Sequence, residues 1–311
     1  MARIVVTEFM AGDAVESLAS EHAVVYDPLL VDDRPRLLEL MGEVEGLIVR
    51  NRTQVDEALV AASPRLRVVG RLGVGLDNID LDACAARAIA VLPATGANAD
   101  SVAEYVIAAA FSLVRGVFLT SDAVIAGDWP RVALTGLEIQ GRTMGLVGFG
   151  DIAQRVAQRA LALGMSVIAH DPFLPPEDEA WSIAGNKTLT GVLGSADVVS
   201  LHVPLTEDTR GLIDGVALGS MKDTAVLVNT SRGGVVDEEA LIQSLRMGGI
   251  RGAALDVYAT EPVTATLGAR FAGVPNLLLT PHIAGITVES NDRVSVMVAT
   301  NVASVLAGEA P

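Results

Sequence analysis

Three side chains that lie far apart in the sequence could together perform one reaction. Arg232 lies in the segment N-T-S-R-G-G, Glu261 in D-V-Y-A-T-E-P, and His282 in P-H-I-A-G. A planar guanidinium matches a carboxylate in two parallel hydrogen bonds. A histidine whose charged form is favoured by a neighbouring carboxylate can move a proton during catalysis. The set therefore predicts chemistry on a small 2-hydroxy or 2-oxo acid, although singly each residue could be a surface ion pair, a loop histidine or a turn residue.

The segment G-L-V-G-F-G-D-I-A predicts where a hydride carrier binds, because glycines at these positions permit a tight turn and close approach of the backbone to a pyrophosphate. The helix that follows would offer free N–H groups to the phosphates. An acidic residue, Asp171, ends the next predicted strand, where it would accept a hydrogen bond from a ribose hydroxyl and repel a 2′-phosphate. The predicted cofactor is therefore NAD, held by Gly148, Gly150, Asp151, Ile152, Ala153 and Asp171.

The elements that must position these residues alternate between short β-branched runs and helical periods, which is typical of parallel sheets with helices on both faces. Because the dinucleotide segment opens the second series of strands, we predict two doubly wound α/β domains. Residues 1–97 plus 288–311 would form a flavodoxin-like substrate domain, and residues 98–287 a Rossmann NAD domain. The ligands would lie in a cleft between the domains, beyond the carboxyl ends of the strands. A capping-box pattern, Ser101 to Glu104, predicts the start of the long helix that joins the two series.

The composition limits the partners. The chain has 311 residues and a net charge of −16, which disfavours nucleic acid and anionic lipid. The N-terminus reads as a strand, and the longest apolar stretch is far shorter than the roughly 20 residues of a membrane span. A single cysteine, Cys84, is compatible with a reducing cytoplasm. We see no cluster of ligand residues at metal spacing and expect no metal.

Two cations in this acidic chain, Arg50 and Arg52, follow the predicted strand Gly46–Val49 at its carboxyl end. They predict that the substrate carries a second anion: phosphate, sulfonate or carboxylate. The alternative is a solvated basic loop that offsets nearby acids.

Nearly the whole chain resembles the D-isomer-specific 2-hydroxyacid dehydrogenases, close to their 3-phosphoglycerate dehydrogenase branch. The matching segments are V-V-G-R-L-G-V-G-L-D-N-I-D (68–80), S-V-A-E (101–104), the dinucleotide segment, L-H-V-P-L-T-E-D-T (201–209), V-N-T-S-R-G-G-V-V-D (228–237), A-L-D-V-Y-A-T-E-P (254–262) and P-H-I-A-G-I-T (281–287).

The resemblance implies roles for particular residues. Arg232 would bind the substrate carboxylate and carbonyl, His282 would be the acid–base and Glu261 its partner. Backbone N–H groups of Val74 and Gly75 would also contact the substrate. The resemblance adds further cofactor contacts: Asp256 at the nicotinamide carboxamide, Thr230, Ser231 and Gly285 on the nicotinamide side, and His202, Pro204 and Thr209 near the adenosine half.

Several alternatives stay open at this point. A hydroxypyruvate or glyoxylate reductase fits the same residues, and a non-catalytic NAD-sensing protein is a different class with the same fold. A formate dehydrogenase is disfavoured because such enzymes pair the histidine with glutamine. The chain stops at Pro311, where many phosphoglycerate dehydrogenases continue into a regulatory domain, which puts phosphoglycerate in doubt as the substrate. The apolar circumference of the joining helix and the resemblance together predict a homodimer.

Overall fold

The computed structural model describes residues 1–118 and 120–309. Contacts divide the chain into two compact units, which we call unit 1 (Met1–Asn98 with Ile286–Pro311) and unit 2 (Ala99–Gly285). The boundaries expected from the sequence, after residues 97 and 287, differ slightly from these.

All strands are short and parallel to their neighbours. In chain order they are β1 (Arg3–Val6), β2 (Ala23–Tyr26), β3 (Gly46–Val49), β4 (Val68–Arg71), β5 (Ala90–Pro93), β6 (Thr143–Val147), β7 (Ser166–His170), β8 (Gly185–Asn186), β9 (Val198–Leu201), β10 (Val226–Asn229), β11 (Gly252–Leu255) and β12 (Leu277–Leu279).

The α-helices cover the sheets. They are α1 (Gly12–Glu21), α2 (Arg34–Leu40), α3 (Glu57–Ala61), α4 (Leu81–Ala86), α5 (Ala99–Arg115), α6 (Ser121–Ile125), α7 (Asp151–Ala162), α8 (Leu189–Ser195), α9 (Gly215–Ser220), α10 (Glu238–Met247), α11 (Ala265–Gly268) and α12 (Val288–Ala307). Single 3-10 turns lie at Leu30–Asp32, Met41–Glu43, Glu179–Ile183, Gly233–Val235 and Ala269–Phe271.

Unit 1 is built on a five-stranded sheet with the order β2-β1-β3-β4-β5, which is the flavodoxin-like order. Successive residues of a strand point to opposite faces, so β3 serves two cores. Ile48 packs with α1 and α12, and Leu47 and Val49 pack with α2, α3 and α4. The strand reads as an unbroken apolar run because both of its faces are buried.

Unit 2 is built on a seven-stranded sheet with the order β12-β11-β10-β9-β6-β7-β8. Its central strands, β6 and β9, lie where the strand order reverses, as in a Rossmann sheet. The doubly wound α/β class predicted for both parts of the chain is confirmed.

Two details of the joining helix differ from the sequence prediction. Helix α5 begins at Ala99, so Ser101 is a buried residue inside the helix and not its cap, and Glu104 lies 3.8 Å from Arg159. The apolar circumference of α5 is also used within unit 2, where Val106 and Ala110 belong to the core that α5 shares with α7. These two residues therefore do not count as excess apolar surface for the homodimer that the sequence predicts, whereas Ile107 and Phe111 are only partly buried.

Within residues 1–118 and 120–309, no helix combines the length and the hydropathy needed to cross a membrane. Over the same residues, no three His, Cys, Asp or Glu side chains are grouped as metal ligands.

Candidate active site

The residues predicted to act in unit 2 all follow strands of its sheet at their carboxyl ends. Gly148 follows β6, Asp171 follows β7, and His202 follows β9. The strands β10, β11 and β12 are followed by Thr230 to Arg232, by Asp256, and by the loop that carries His282. Because carboxyl ends of parallel strands share one edge, the sheet gathers these residues at its ligand-binding side.

The predicted acid–base pair is formed. The Nδ1 atom of His282 lies 2.7 Å from Oε2 of Glu261. A neutral or charged imidazole that donates from Nδ1 to this carboxylate has its Nε2 available for the substrate. The other carboxylate oxygen of Glu261 accepts from the backbone N–H of Tyr258 at 2.9 Å. Glu261 is thus fixed by its own turn while it orients the histidine.

The loop of His282 is held by a buried carboxylate. Asp256 is 1% exposed; it accepts from the backbone N–H groups of Ile283 and Ala284, both at 2.8 Å, and from the Thr280 hydroxyl at 2.6 Å. His282 itself has a φ of 55°, a left-handed conformation that costs about 1–2 kcal/mol for a residue with a Cβ atom. Hydrogen bonds on both sides of the histidine offset this cost and set the direction of its ring.

The turn that carries Glu261 rests on a second buried acid, which the sequence did not single out. Glu238 accepts from the backbone N–H of Ala259 at 2.6 Å and forms an ion pair with Arg270. In the sequence, Glu238 looks like an ordinary acidic residue in the first turn of α10, and no pattern marks it as a support for the site.

The loop of Arg232 packs directly on the same turn. A Cβ atom at Gly233 would lie 1.8 Å from the carbonyl carbon of Tyr258, so only glycine fits there. The Arg232 carbonyl accepts from the Asn229 side chain at 3.0 Å, and the Asn229 amide oxygen accepts from the Ser231 N–H at 3.0 Å and from its hydroxyl at 2.8 Å. The sheet thus brings the Arg232 loop and the Glu261 turn into contact.

The dinucleotide turn has the geometry that NAD requires. Gly148 has a φ of 85°, and a Cβ atom there would lie 2.6 Å from the His202 carbonyl oxygen. A Cβ atom at Gly150 would meet no atom within 4 Å, so space is open beside the backbone where a pyrophosphate approaches. Gly150 caps α7 without a side-chain hydrogen bond, which leaves N–H groups at the start of the helix for phosphate oxygens. Ala153 is fully buried against the core, as its small side chain allows.

Two other predicted cofactor residues, Asp171 and His202, lie against this turn. Asp171 accepts from the backbone N–H of Phe149 at 2.8 Å, which places its carboxylate against the turn. His202 contacts the Ser200 hydroxyl at 2.9 Å, and burial lowers its pKa to about 4, so its ring is neutral at pH 7. The Thr209 hydroxyl donates to the Pro204 carbonyl at 2.6 Å and closes the loop between them.

Thr230 supplies a further observation that fits a bound cofactor. Its hydroxyl oxygen is buried, and no group of the described residues forms a hydrogen bond with it. A buried hydroxyl without a partner costs free energy. Such an atom, one residue beyond β10, fits a contact to the nicotinamide side of NAD.

In unit 1, the segment with Val74 and Gly75 follows β4 and the two arginines follow β3. Arg50 is half-buried and donates to the Asn291 amide oxygen at 2.7 Å. Burial lowers its pKa from the usual value and the Glu8 carboxylate acts in the opposite direction. Arg52 instead forms an exposed ion pair with Asp32. The two arginines, which the sequence gives the same predicted role, therefore differ in exposure and in hydrogen-bond partner.

Comparisons with known proteins agree with this geometry. Residues 107–284 match the model of the D-isomer specific 2-hydroxyacid dehydrogenase, NAD binding domain. The chain is 55% identical over 303 residues to a (S)-sulfolactate dehydrogenase of Chromohalobacter salexigens, covering 97% of each chain.

A D-3-phosphoglycerate dehydrogenase of Mycobacterium leprae is 41% identical over 277 residues; the match covers 89% of this chain and 52% of that protein, so the chain spans about half of its length. Among solved structures, the TT0316 protein of Thermus thermophilus superposes with a TM-score of 0.89 at 34% identity, covering 99% of this chain and 98% of that one. The chain therefore belongs to the D-isomer-specific 2-hydroxyacid dehydrogenases, and its cofactor is NAD.

Proposed function

We propose that the protein interconverts sulfolactate, a 2-hydroxy acid with a second anion, and the corresponding 2-oxo acid. The observation that carries the proposal is the 55% identity to a (S)-sulfolactate dehydrogenase over nearly the full length of both chains. The cations that follow β3, Arg50 above all, support a substrate with a sulfonate at its far end. 3-Phosphoglycerate, which also carries a second anionic group, is the alternative substrate.

The stereochemistry of sulfolactate agrees with a D-specific family. In lactate and glycerate, the carboxylate outranks the C3 carbon in the priority rules, and the D form is named R. In sulfolactate, the sulfur on C3 makes that carbon outrank the carboxylate, so the same arrangement in space is named S. An enzyme that acts on (S)-sulfolactate thus presents its catalytic groups to the same face as one that acts on D-glycerate.

In the proposed mechanism, NAD supplies the hydride acceptor. Arg232 binds the C1 carboxylate and polarises the oxygen on C2. His282 takes the hydroxyl proton at Nε2 as the C2 hydrogen leaves as hydride, and it returns this proton when the 2-oxo acid is reduced. Glu261 accepts from Nδ1 of His282 and fixes the ring, and Asp256 holds the loop so that Nε2 is aimed correctly.

We further propose that Asp171 selects NAD over NADP. Its carboxylate at the end of β7 lies against the dinucleotide turn, where it would repel a 2′-phosphate. Asp171→Ala should lower the ratio of kcat/KM with NAD to kcat/KM with NADP. An unchanged ratio would remove Asp171 from this role.

We also propose a homodimer in the cytoplasm. The support for the dimer is that four large apolar side chains in the segment between α5 and β6 are each exposed: Phe118, Ile125, Trp129 and Val132. A short segment with several exposed large apolar side chains is typical of a subunit contact. Light scattering at micromolar concentration should give the dimer mass, and Ile125→Asp with Trp129→Asp should give the monomer. A monomeric wild type would contradict the proposal.

The proposed substrate is tested by steady-state oxidation with NAD and four acids: (S)-sulfolactate, (R)-sulfolactate, D-3-phosphoglycerate and D-glycerate. We expect the highest kcat/KM for (S)-sulfolactate and none measurable for its enantiomer. A preference for D-glycerate would contradict the proposal, and a preference for D-3-phosphoglycerate would move the assignment to the alternative.

A further inference from the structure

The loop that carries Arg50 and Arg52 is attached to one buried carboxylate. Glu8 follows β1 and is 5% exposed. Its Oε1 atom accepts from the backbone N–H groups of Arg50 at 2.9 Å and Thr53 at 3.0 Å, and its Oε2 atom accepts from that of Arg52 at 3.2 Å. One side chain thus engages three N–H groups within four residues of the loop.

The carbonyl groups of the same loop are fixed from another direction. The buried Asn78 amide donates to the Thr53 carbonyl at 2.7 Å and to the Arg50 carbonyl at 3.3 Å. The Thr53 hydroxyl lies 2.8 Å from that of Thr7, which immediately precedes Glu8. The loop is therefore held by both kinds of backbone group, and Asn78 ties it to the segment that contains Val74 and Gly75.

The charge of Glu8 is costly at this depth, because a buried carboxylate must replace the water that it loses. Hydrogen bonds to an ionised acceptor are stronger than those to a neutral one, and the three bonds to Glu8 restrain the backbone of the loop. The same arrangement fixes the backbone of Arg50. Its guanidinium donates to Asn291 and is partly desolvated, and no carboxylate of residues 1–118 and 120–309 forms an ion pair with it. A cation that is fixed and partly desolvated is prepared to bind an anion without further ordering.

We propose that Glu8 is a positioning residue for the second anion of the substrate, acting through Arg50. The proposal rests on the proposed function, since it presumes that the substrate carries such an anion. Glu8 does not touch the substrate; it sets the backbone from which the arginine extends, and Asn78 completes the support.

The role predicts a specific kinetic result. In Glu8→Gln, the amide nitrogen takes the place of one carboxylate oxygen and faces a backbone N–H, so at least one of the three hydrogen bonds is lost. We expect KM for (S)-sulfolactate to rise on the order of tenfold, with kcat unchanged and KM for D-glycerate changed by less than about threefold. Glu8→Asp, which keeps the charge, should recover part of the loss.

The control is Asp197→Asn, which alters another buried carboxylate at the amino end of β9, bound to the Thr143 N–H at 2.9 Å. It should lower the thermal midpoint and leave the ratio of the two KM values unchanged. The proposal would be overturned if Glu8→Gln raised KM equally for (S)-sulfolactate and D-glycerate. It would also be overturned if the ratio of these two KM values were the same as in Asp197→Asn. In either case Glu8 would be a purely structural acid.

Two other outcomes are separable. If Glu8 acted only by repelling the substrate anion, Glu8→Gln would lower KM for (S)-sulfolactate, which also overturns the proposal. Failure of the proposed function itself would be seen in the wild type, as a preference for D-glycerate. No effect of Arg50→Ala on KM for (S)-sulfolactate in an enzyme that prefers this acid would overturn only the role of Glu8, which acts through Arg50.

Discussion

The loop after β3 in unit 1 and the loop after β12 in unit 2 are built by the same device. In each, an acid that follows the neighbouring strand accepts backbone N–H groups of the loop: Glu8 after β1 and Asp256 after β11. The difference is in the backbone. Asp256 binds the N–H groups of Ile283 and Ala284, the two residues after His282. His282 has a positive φ, whereas no residue of the loop from 50 to 53 has one. The catalytic loop is thus held under strain, and the arginine loop is held without it.

The largest effect should come from the strained loop. His282→Ala removes the proposed proton carrier, and kcat should fall by about 100- to 10,000-fold. Fluorescence titration should show unchanged NADH binding, because the dinucleotide turn is intact. A variant with kcat near that of the wild type would show that the strained loop does not carry the acid–base group.

A second expected effect concerns protons at the ligand edge of unit 2, which holds His202. Its pKa falls from 6.5 to about 4 on folding, so the unfolded chain binds the proton first. The contribution of His202 to the free energy of unfolding is therefore complete above pH 6.5 and is lost as the pH falls toward 4. Between pH 7 and pH 5 the loss should be about 2 kcal/mol.

Urea unfolding at the two pH values measures this loss. His202→Asn, which cannot titrate, is the control and should show a flatter dependence. Equal slopes in the two proteins would contradict a buried neutral histidine.

An intermediate effect should follow from weakening the support of the catalytic loop. Asp256→Asn places an amide nitrogen against a backbone N–H group and leaves the positive φ less well compensated. We expect kcat to fall about ten- to a hundredfold. Asp197→Asn serves again as the matched control, and a decrease no greater than the control would mean that Asp256 does not orient His282.

The smallest effect should separate the two arginines of the unstrained loop. Arg52 and Asp32 are 60% and 61% exposed, and exposed pairs of this kind contribute less than about 1 kcal/mol. Arg52→Ala should therefore change KM for (S)-sulfolactate less than about fivefold, while Arg50→Ala should raise it about tenfold or more. If Arg52→Ala had the larger effect, the exposed ion pair would have to open when the substrate binds.

The sequence predicts the strands well because buried parallel strands are short apolar runs with sharp ends. It predicts β3 correctly, but it misses β8, whose two residues, Gly185 and Asn186, carry no such pattern. The apolar pattern from Thr53 to Ala61 predicts a helix, but the helix begins only at Glu57, because Asp56 caps it and Thr53 is bound to Glu8.

The helix caps show the same limit of prediction from sequence patterns. The S-x-x-E pattern at Ser101 is not a cap, while the true capping box uses Thr287 and Ser290. For the candidate site, motifs predict the pair of His282 and Glu261, which is formed. They do not predict Glu8 or Glu238, because a buried acid that binds backbone N–H groups leaves no periodicity in the sequence. Its partners are set by tertiary packing alone.

The contact between Gly233 and Tyr258 has a consequence for changing this enzyme by directed evolution. With no room for a Cβ atom at position 233, random mutagenesis next to Arg232, the proposed carboxylate-binding residue, should return mostly inactive clones. Arg52 lies on the unstrained loop and Asp32 ends the 3-10 turn Leu30–Asp32, and this exposed pair should tolerate exchange. Libraries that seek new substrates should therefore vary positions 32 and 52 and leave the unit 2 loops unchanged.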